Sequence, residues 1–197
     1  PKEESEKNYK KRINKSLNTM GAVTWDIIKG MTFRSEFGFE NNSEEQRRFW
    51  GMGTSNARNN NNQPMAEWSM KQGTKWQLTN VWNYNFMLQD AHNFGLMLGQ
   101  EIKHNQTTTK TFSTRYLPET ITAEKAFDNL SLGTAYQNTS SSDSPSRISS
   151  FFGRINYGYN DKYLATVTLR ADGSSKFASG NRWGFFPAGA LAWRMSN

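Results

Sequence analysis

The sequence predicts an all-β chain, an antiparallel stretch of transmembrane β-barrel wall, and three observations carry that prediction. Long segments alternate apolar and polar residues with period two. The connections between them alternate short and long, and aromatic residues gather at the segment ends. Period-two alternation marks strands with one greasy and one wet face, and it is sharpest over 151–193. There Phe151, Ile155, Tyr157 and Tyr159 share one parity. After the Asn160-Asp161 turn they are followed by Tyr163, Ala165, Val167 and Leu169, and after a polar loop by Trp183, Phe185, Leu191 and Trp193. The opposite parity carries Arg154, Asn156, Thr166, Thr168, Arg170 and Asp172, then Arg182 and Arg194.

Earlier segments repeat the pattern. In 11–26, Ile13, Leu17, Val23 and Trp25 oppose Arg12, Asn14, Ser16, Asn18 and Asp26. A short connection at 27–30 leads to 31–40, where Met31, Phe33, Phe37 and Phe39 oppose Thr32, Arg34, Glu36 and Glu40. Residues 41–74 show no usable periodicity; the Asn59–Asn62 run, three glycines and Pro64 make them a long loop. Periodicity returns over 75–89, with Trp76, Leu78, Trp82, Tyr84, Phe86 and Leu88 facing one way. After a short turn at Asp90-Ala91, Phe94, Leu96, Leu98 and Ile102 oppose Asn93, Gly95, Gly99, Glu101 and Lys103. Residues 106–147 form a second long loop, within which 121–133 could wind one or two helical turns ending near Gly133. A medium loop occupies 173–181, before the third segment of the 151–193 stretch.

The order of connection lengths separates the architectures. In a transmembrane barrel the turns on one side are short and the loops on the other long, whereas a sandwich has no reason to sort loops by parity. Trp25, Tyr159, Tyr163 and Trp193 fall beside short turns, and Trp76 and Trp183 beside long loops, as two interfacial belts would require. Seven strands are expected, an odd number that does not close a bacterial barrel of even strand count. The chain is therefore expected to be part of a larger barrel.

Composition fits this and excludes several classes. Only 35% of the 197 residues are hydrophobic, while aromatics reach 14%, and mean hydropathy is −0.83. No run approaches the roughly 18 apolar residues of a transmembrane helix, which says nothing against a barrel. The start, PKEESEKNYKKR, has no signal-peptide pattern and resembles the middle of a longer protein. With no cysteine, disulfide scaffolds and cysteine metal sites are excluded. The net charge of +7 is dispersed, without a basic run interleaved with stacking aromatics, so no nucleic-acid partner is expected.

No catalytic, cofactor-binding or metal-ligating constellation emerges, so an enzyme is not expected. His92 and His104 lie near the two ends of one strand without paired carboxylates, and the Ser-rich runs contain no nucleophile elbow. The polar parity instead supplies Arg34, Glu36, Arg154, Arg170 and Arg194 as expected lumen-facing residues. Trp50 and Trp68, in the first long loop, read most simply as local packing; stacking on a sugar is the alternative. Two other classes share the strand pattern: a soluble β-rich carbohydrate-binding module and a passive porin.

The segment RADGSSKF (170–177), followed by NRWGFFPAGALAWR (181–194) and preceded by FFGRINYGYNDKYLATVTL, resembles the SusC/RagA family of TonB-linked outer-membrane transporters. IIKG at 27–30 with TFRSEFGFE, and FGLMLGQE at 94–101, are similar to the same family's barrel. The resemblance implies a barrel of about 22 strands with an N-terminal plug, neither plug nor closing strands lying within this chain, and long loops on the extracellular side. It implies TonB-energised uptake of glycan or peptide oligomers across the outer membrane of a Gram-negative, Bacteroidota-type bacterium. The partners it implies are a SusD-like lipoprotein lid, the TonB complex through segments outside this chain, and outer-membrane lipid. No cofactor is implied.

Overall fold

A computed structural model describes residues 7–195. Seven long strands follow one another across a single sheet: β1 (Asn8–Ile28), β2 (Met31–Trp50), β3 (Met65–Leu88), β4 (His92–Arg115), β7 (Ser146–Tyr159), β8 (Tyr163–Ser174) and β9 (Trp183–Trp193). Two short strands, β5 (Thr134–Ala135) and β6 (Thr139–Ser142), pair with β4 off this path. Helices are brief: α1 (Ser55–Arg58), α2 (Ala123–Asp128) and a 3-10 turn at Leu130–Leu132. Among the described residues no helix is long and apolar enough to cross a membrane. That says nothing of strands.

The short turns fold as their residues dictate. Asn160 and Asp161 both sit at positive φ (47° and 54°), as do Gln89 and Asp90 (53° each). Two consecutive left-handed residues make the hairpin turn whose twist matches that of the strands it joins, and Asn and Asp tolerate it well. At Gly30 (φ 81°) a Cβ would strike the carbonyl oxygen of Asn85, while the Gly30 carbonyl accepts from the Asn85 amide at 2.8 Å. Only glycine permits that approach.

Pairing across β4, β7, β8 and β9 is antiparallel and in unbroken register. Rows can therefore be followed across the sheet. On the apolar parity Leu98 lies opposite Gly153, then Leu169, then Pro187; one row away run Leu96, Ile155, Val167 and Gly189. On the other parity run Met97, Arg154, Thr168 and Ala188. Tyr159, Tyr163 and Trp193 bound the apolar rows at one end, and the Gly173–Trp183 pair at the other. The ten residue steps of β8 from Tyr163 to Gly173, at ~3.3 Å each and a tilt of about 40°, cover roughly 25 Å, the height of an outer-membrane apolar band.

Two compact units share the strands. The first comprises the described residues up to Leu17, with Asn41–Thr74 and Gln106–Ser144. It holds a small core of Phe49, Ala66, Leu117, Ala126 and Phe127, onto which Trp68, Ile121, Ala123 and Leu130 pack. Helix α2 contributes Ala126 and Phe127 to it, with Thr122 as its cap. The second unit comprises Asn18–Glu40, Lys75–Asn105 and the described residues from Pro145 onward. Here apolar side chains remain exposed even on strands flanked by neighbours on both sides: Leu98 on β4 is 65% exposed and Val167 on β8 60%.

Strand limits depart from expectation in two places. The loop expected at 41–74 narrows to 51–64, because β2 continues to Trp50 and β3 starts at Met65. The loop expected at 106–147 likewise loses its first part to β4, which continues to Arg115. Over 41–48 and 106–111 both faces are polar, so no apolar alternation announces the strands there. Cross-strand polar pairs hold the first unit's strands together instead: Asn41 Nδ2 to Thr74 Oγ1 at 3.2 Å, Ser69 to Thr111 at 3.3 Å, and Arg48 to Glu67 at 3.6 Å. The helical turns expected within 121–133 are present as α2 and the 3-10 turn before Gly133.

Candidate functional site

The polar parity of the second unit carries a linked set of charges. Arg170, on β8, is its centre: Nε donates to both oxygens of Asp172 (2.9 and 3.0 Å), and Nη2 donates to Ser150 Oγ (3.3 Å) and lies 3.5 Å from Glu101. Glu101, on β4, also receives Lys103 Nζ at 3.0 Å and Gln77 Nε2 at 3.1 Å. Register explains the convergence, since Glu101 faces Ser150, and Ser150 faces Asp172. The guanidinium also stands 5.6 Å from the Phe152 ring centre. Room for that ring comes from Gly99, its cross-strand neighbour, where a Cβ would overlap it.

Two further pairs lie on the same parity. Arg34 Nη2 reaches Glu36 at 2.7 Å and its Nη1 lies 3.5 Å from Thr24 Oγ1; Lys75 Nζ reaches Glu40 at 3.1 Å. Arg154 Nε donates to Thr168 Oγ1 across β7 and β8 at 3.3 Å. Of these, Glu36, Glu40 and Lys75 border a cleft of about 730 Å³ over β1, β2, β3, β4 and β7, lined also by Asn18, Gln77 and Lys103 among others. Among the described residues no group of His, Asp and Glu is placed to hold a metal ion.

The opposite parity is bounded by a chain of aromatic contacts. Tyr84, Phe86, Phe94 and Tyr157 follow one another at ring separations of 4.9 to 5.1 Å. His92 joins this chain, its Nδ1 bonded to the Tyr157 hydroxyl at 2.8 Å and its ring 5.0 Å from Tyr159. Gly153 leaves an apolar groove of about 740 Å³ among Leu96, Leu98, Phe151, Ile155, Val167 and Leu169.

Of the residues singled out from sequence, Arg170 enters the network, and Arg34 and Glu36 pair with each other. Arg154 reaches only Thr168. Arg194 falls just past β9, where its backbone N–H donates to Lys162 O at 2.9 Å beside the Asn160-Asp161 turn. Trp50 ends β2, half-buried. Trp68 lies on β3 against the small core, with the Arg47 guanidinium 4.7 Å over its ring; both tryptophans stand in strands and not in a loop. Glu101, Lys103 and Asp172 carry the network with Arg170, and their parity was visible in the sequence. Their meeting was not, because it depends on the register between strands remote in the chain.

Comparisons with known proteins agree with the geometry. No family model matches the chain. A TonB-dependent receptor of Formosa agariphila, P3, is 30% identical over 180 residues, covering 88% of this chain and 17% of that protein. SusC of Bacteroides thetaiotaomicron, also a TonB-dependent receptor, is 35% identical over 118 residues, covering 57% of this chain and 11% of that protein. The solved structure of the RagAB peptide transporter superposes with a TM-score of 0.79 at 18% identity, covering 93% of this chain and 20% of that one. The chain thus spans a fifth or less of the relatives it matches. Fold and relatives together define a segment of transmembrane β-barrel wall. The chain belongs to the TonB-dependent receptors of the SusC/RagA type.

Proposed function

We propose that the chain forms part of the wall of an outer-membrane transporter that imports glycan or peptide oligomers with energy from TonB, in a Gram-negative, Bacteroidota-type bacterium. The apolar parity faces lipid. The polar parity, with Arg34, Glu36, Arg154, Arg170 and Arg194, faces the lumen, and the connections at 51–64, 116–145 and 175–182 lie outside the cell. A SusD-like lipoprotein closes the barrel from above, and the TonB complex engages segments beyond this chain. Trp50, on the same side of β2 as Arg48, is the better placed of the two tryptophans to meet cargo; Trp68 supports the wall.

The observation that carries this reading is the exposure of Leu98 and Val167 on interior strands, opposite a face of paired charges. Water would penalise such a surface by roughly 25 cal/mol for each Å² of apolar area left uncovered. Lipid removes the penalty. The test is uptake of labelled oligomers by cells carrying the full-length protein, with and without TonB. Loss of uptake without TonB supports the reading. Unchanged uptake indicates a passive pore, and recovery of the full-length protein from the soluble fraction contradicts the membrane assignment.

A further inference from the structure

The cleft on the polar parity has a chemical bias, and its charges show which. Its carboxylates and ammonium groups are closed on one another: Lys75 on Glu40 at 3.1 Å, Lys103 on Glu101 at 3.0 Å, and Glu36 on Arg34 at 2.7 Å. A solute entering the cleft therefore meets dipoles and compensated pairs. The other polar residues there are the amides Asn18, Gln77 and Asn105, the hydroxyls Thr19 and Ser146, and His104, whose ring stacks on Trp76 at 5.5 Å. One cation, Lys176, belongs to the loop after β8, where it is exposed and screened by solvent.

From this arrangement we infer that the cleft takes an uncharged, hydroxyl-rich oligosaccharide and discriminates against solutes bearing carboxylate or sulfate. The inference rests on the reading of the polar parity as the lumen. Sugar hydroxyls both donate and accept, so they can bond to amides and to the outer lone pairs of carboxylates already paired. An acidic solute can reach Lys75 or Lys103 only beside the carboxylate of Glu40 or Glu101 already paired with it, so its own charge stands against a like charge. Like-charge juxtaposition of this kind is how a site rejects a partner it could otherwise accommodate. A peptide brings a charge at each terminus and meets the same barrier.

The test uses cells carrying the full-length transporter with its lid lipoprotein. The probes are a partial polysaccharide hydrolysate, end-labelled with an uncharged fluorophore, separated by anion exchange into uncharged and acidic pools of matched length. A labelled peptide digest serves as a third probe. Wild-type cells are expected to take up the uncharged pool at least tenfold faster than the acidic one. Glu40→Gln, which frees Lys75, should narrow that ratio at least threefold by raising acidic uptake. Lys75→Gln, which removes the ammonium charge beside Glu40, should widen it. The amount of each variant in the membrane normalises the rates. Equal or faster uptake of the acidic pool by wild-type cells overturns the inference, as does a ratio that neither variant moves. Uptake of the peptide digest with neither sugar pool overturns it while leaving the transport reading standing. Uptake of none of the three refutes both.

Discussion

The lipid assignment of the apolar parity makes a sharp energetic prediction at Val167 and its neighbour Thr168. Val167 lies on β8 four residues from the Tyr163–Trp193 pair and six from the Gly173–Trp183 pair, close to the middle of the apolar rows. Its side chain shares a row with Leu96 and Ile155, whereas Thr168 accepts from Arg154 on the opposite face. An arginine at Val167 would stand near the bilayer midplane, at a cost of about 2–4 kcal/mol. That corresponds to a roughly 30- to 700-fold loss in the folding equilibrium. Thr168→Arg places the same side chain one residue away in a hydrated lumen beside Arg154, where a like-charge contact costs under about 1 kcal/mol. The measurement is the urea midpoint of the full-length protein in phosphatidylcholine vesicles, followed by tryptophan fluorescence. If the sheet faced water on both sides, Val167→Arg would be an exposed substitution worth within about 0.5 kcal/mol. A neutral Val167→Arg refutes the assignment, and a costly Thr168→Arg beside a neutral Val167→Arg inverts it.

Two other substitutions test packing in the two units. Gly99→Ala drives a methyl into the Phe152 ring, so it should cost about 1–3 kcal/mol as an overpacked site; adding Phe152→Ala should recover most of that loss, read from the same urea midpoints. Thr54 caps α1 by accepting from the Ala57 amide at 3.2 Å, and it is fully buried. Thr54→Ala should cost about 1 kcal/mol and speed proteolytic nicking within 51–64, with the uptake rate of the intact protein unchanged.

Strand parity was legible wherever the two faces differ in polarity. Over 151–159 the alternation of Phe151, Ile155 and Tyr157 with Arg154 and Asn156 matches the register, which pairs Ile155 with Val167 and Arg154 with Thr168. Where both faces are polar, the same signal vanishes although the ladder does not. Asn41 through Arg48 and Gln106 through Lys110 are strand because their neighbours supply partners, such as Asn41 with Thr74, and β6 for β4. Such pairs are properties of register, and register between distant strands is not written in local spacing. The same limit governs the polar face. Arg170 was visible as a lumen candidate, but its convergence with Glu101, 69 positions away, required the β4–β7–β8 pairing. Trp68 shows the converse limit, since a tryptophan in a polar stretch looks available until α2 and Arg47 are found packed around it.

The central claim is that alternate residues of this sheet face lipid and lumen, and β8 tests it most directly because the chain contains no cysteine. Single cysteines at each position from 163 to 173, in an otherwise cysteine-free full-length protein in outer membrane, would carry a nitroxide label. Collision with oxygen reports lipid, and collision with a water-soluble nickel chelate reports the lumen. The account predicts a strict alternation, with oxygen contact at 165, 167, 169 and 171 and chelate contact at 166, 168, 170 and 172. Equal chelate access at both parities, or alternation in the opposite phase, would contradict it.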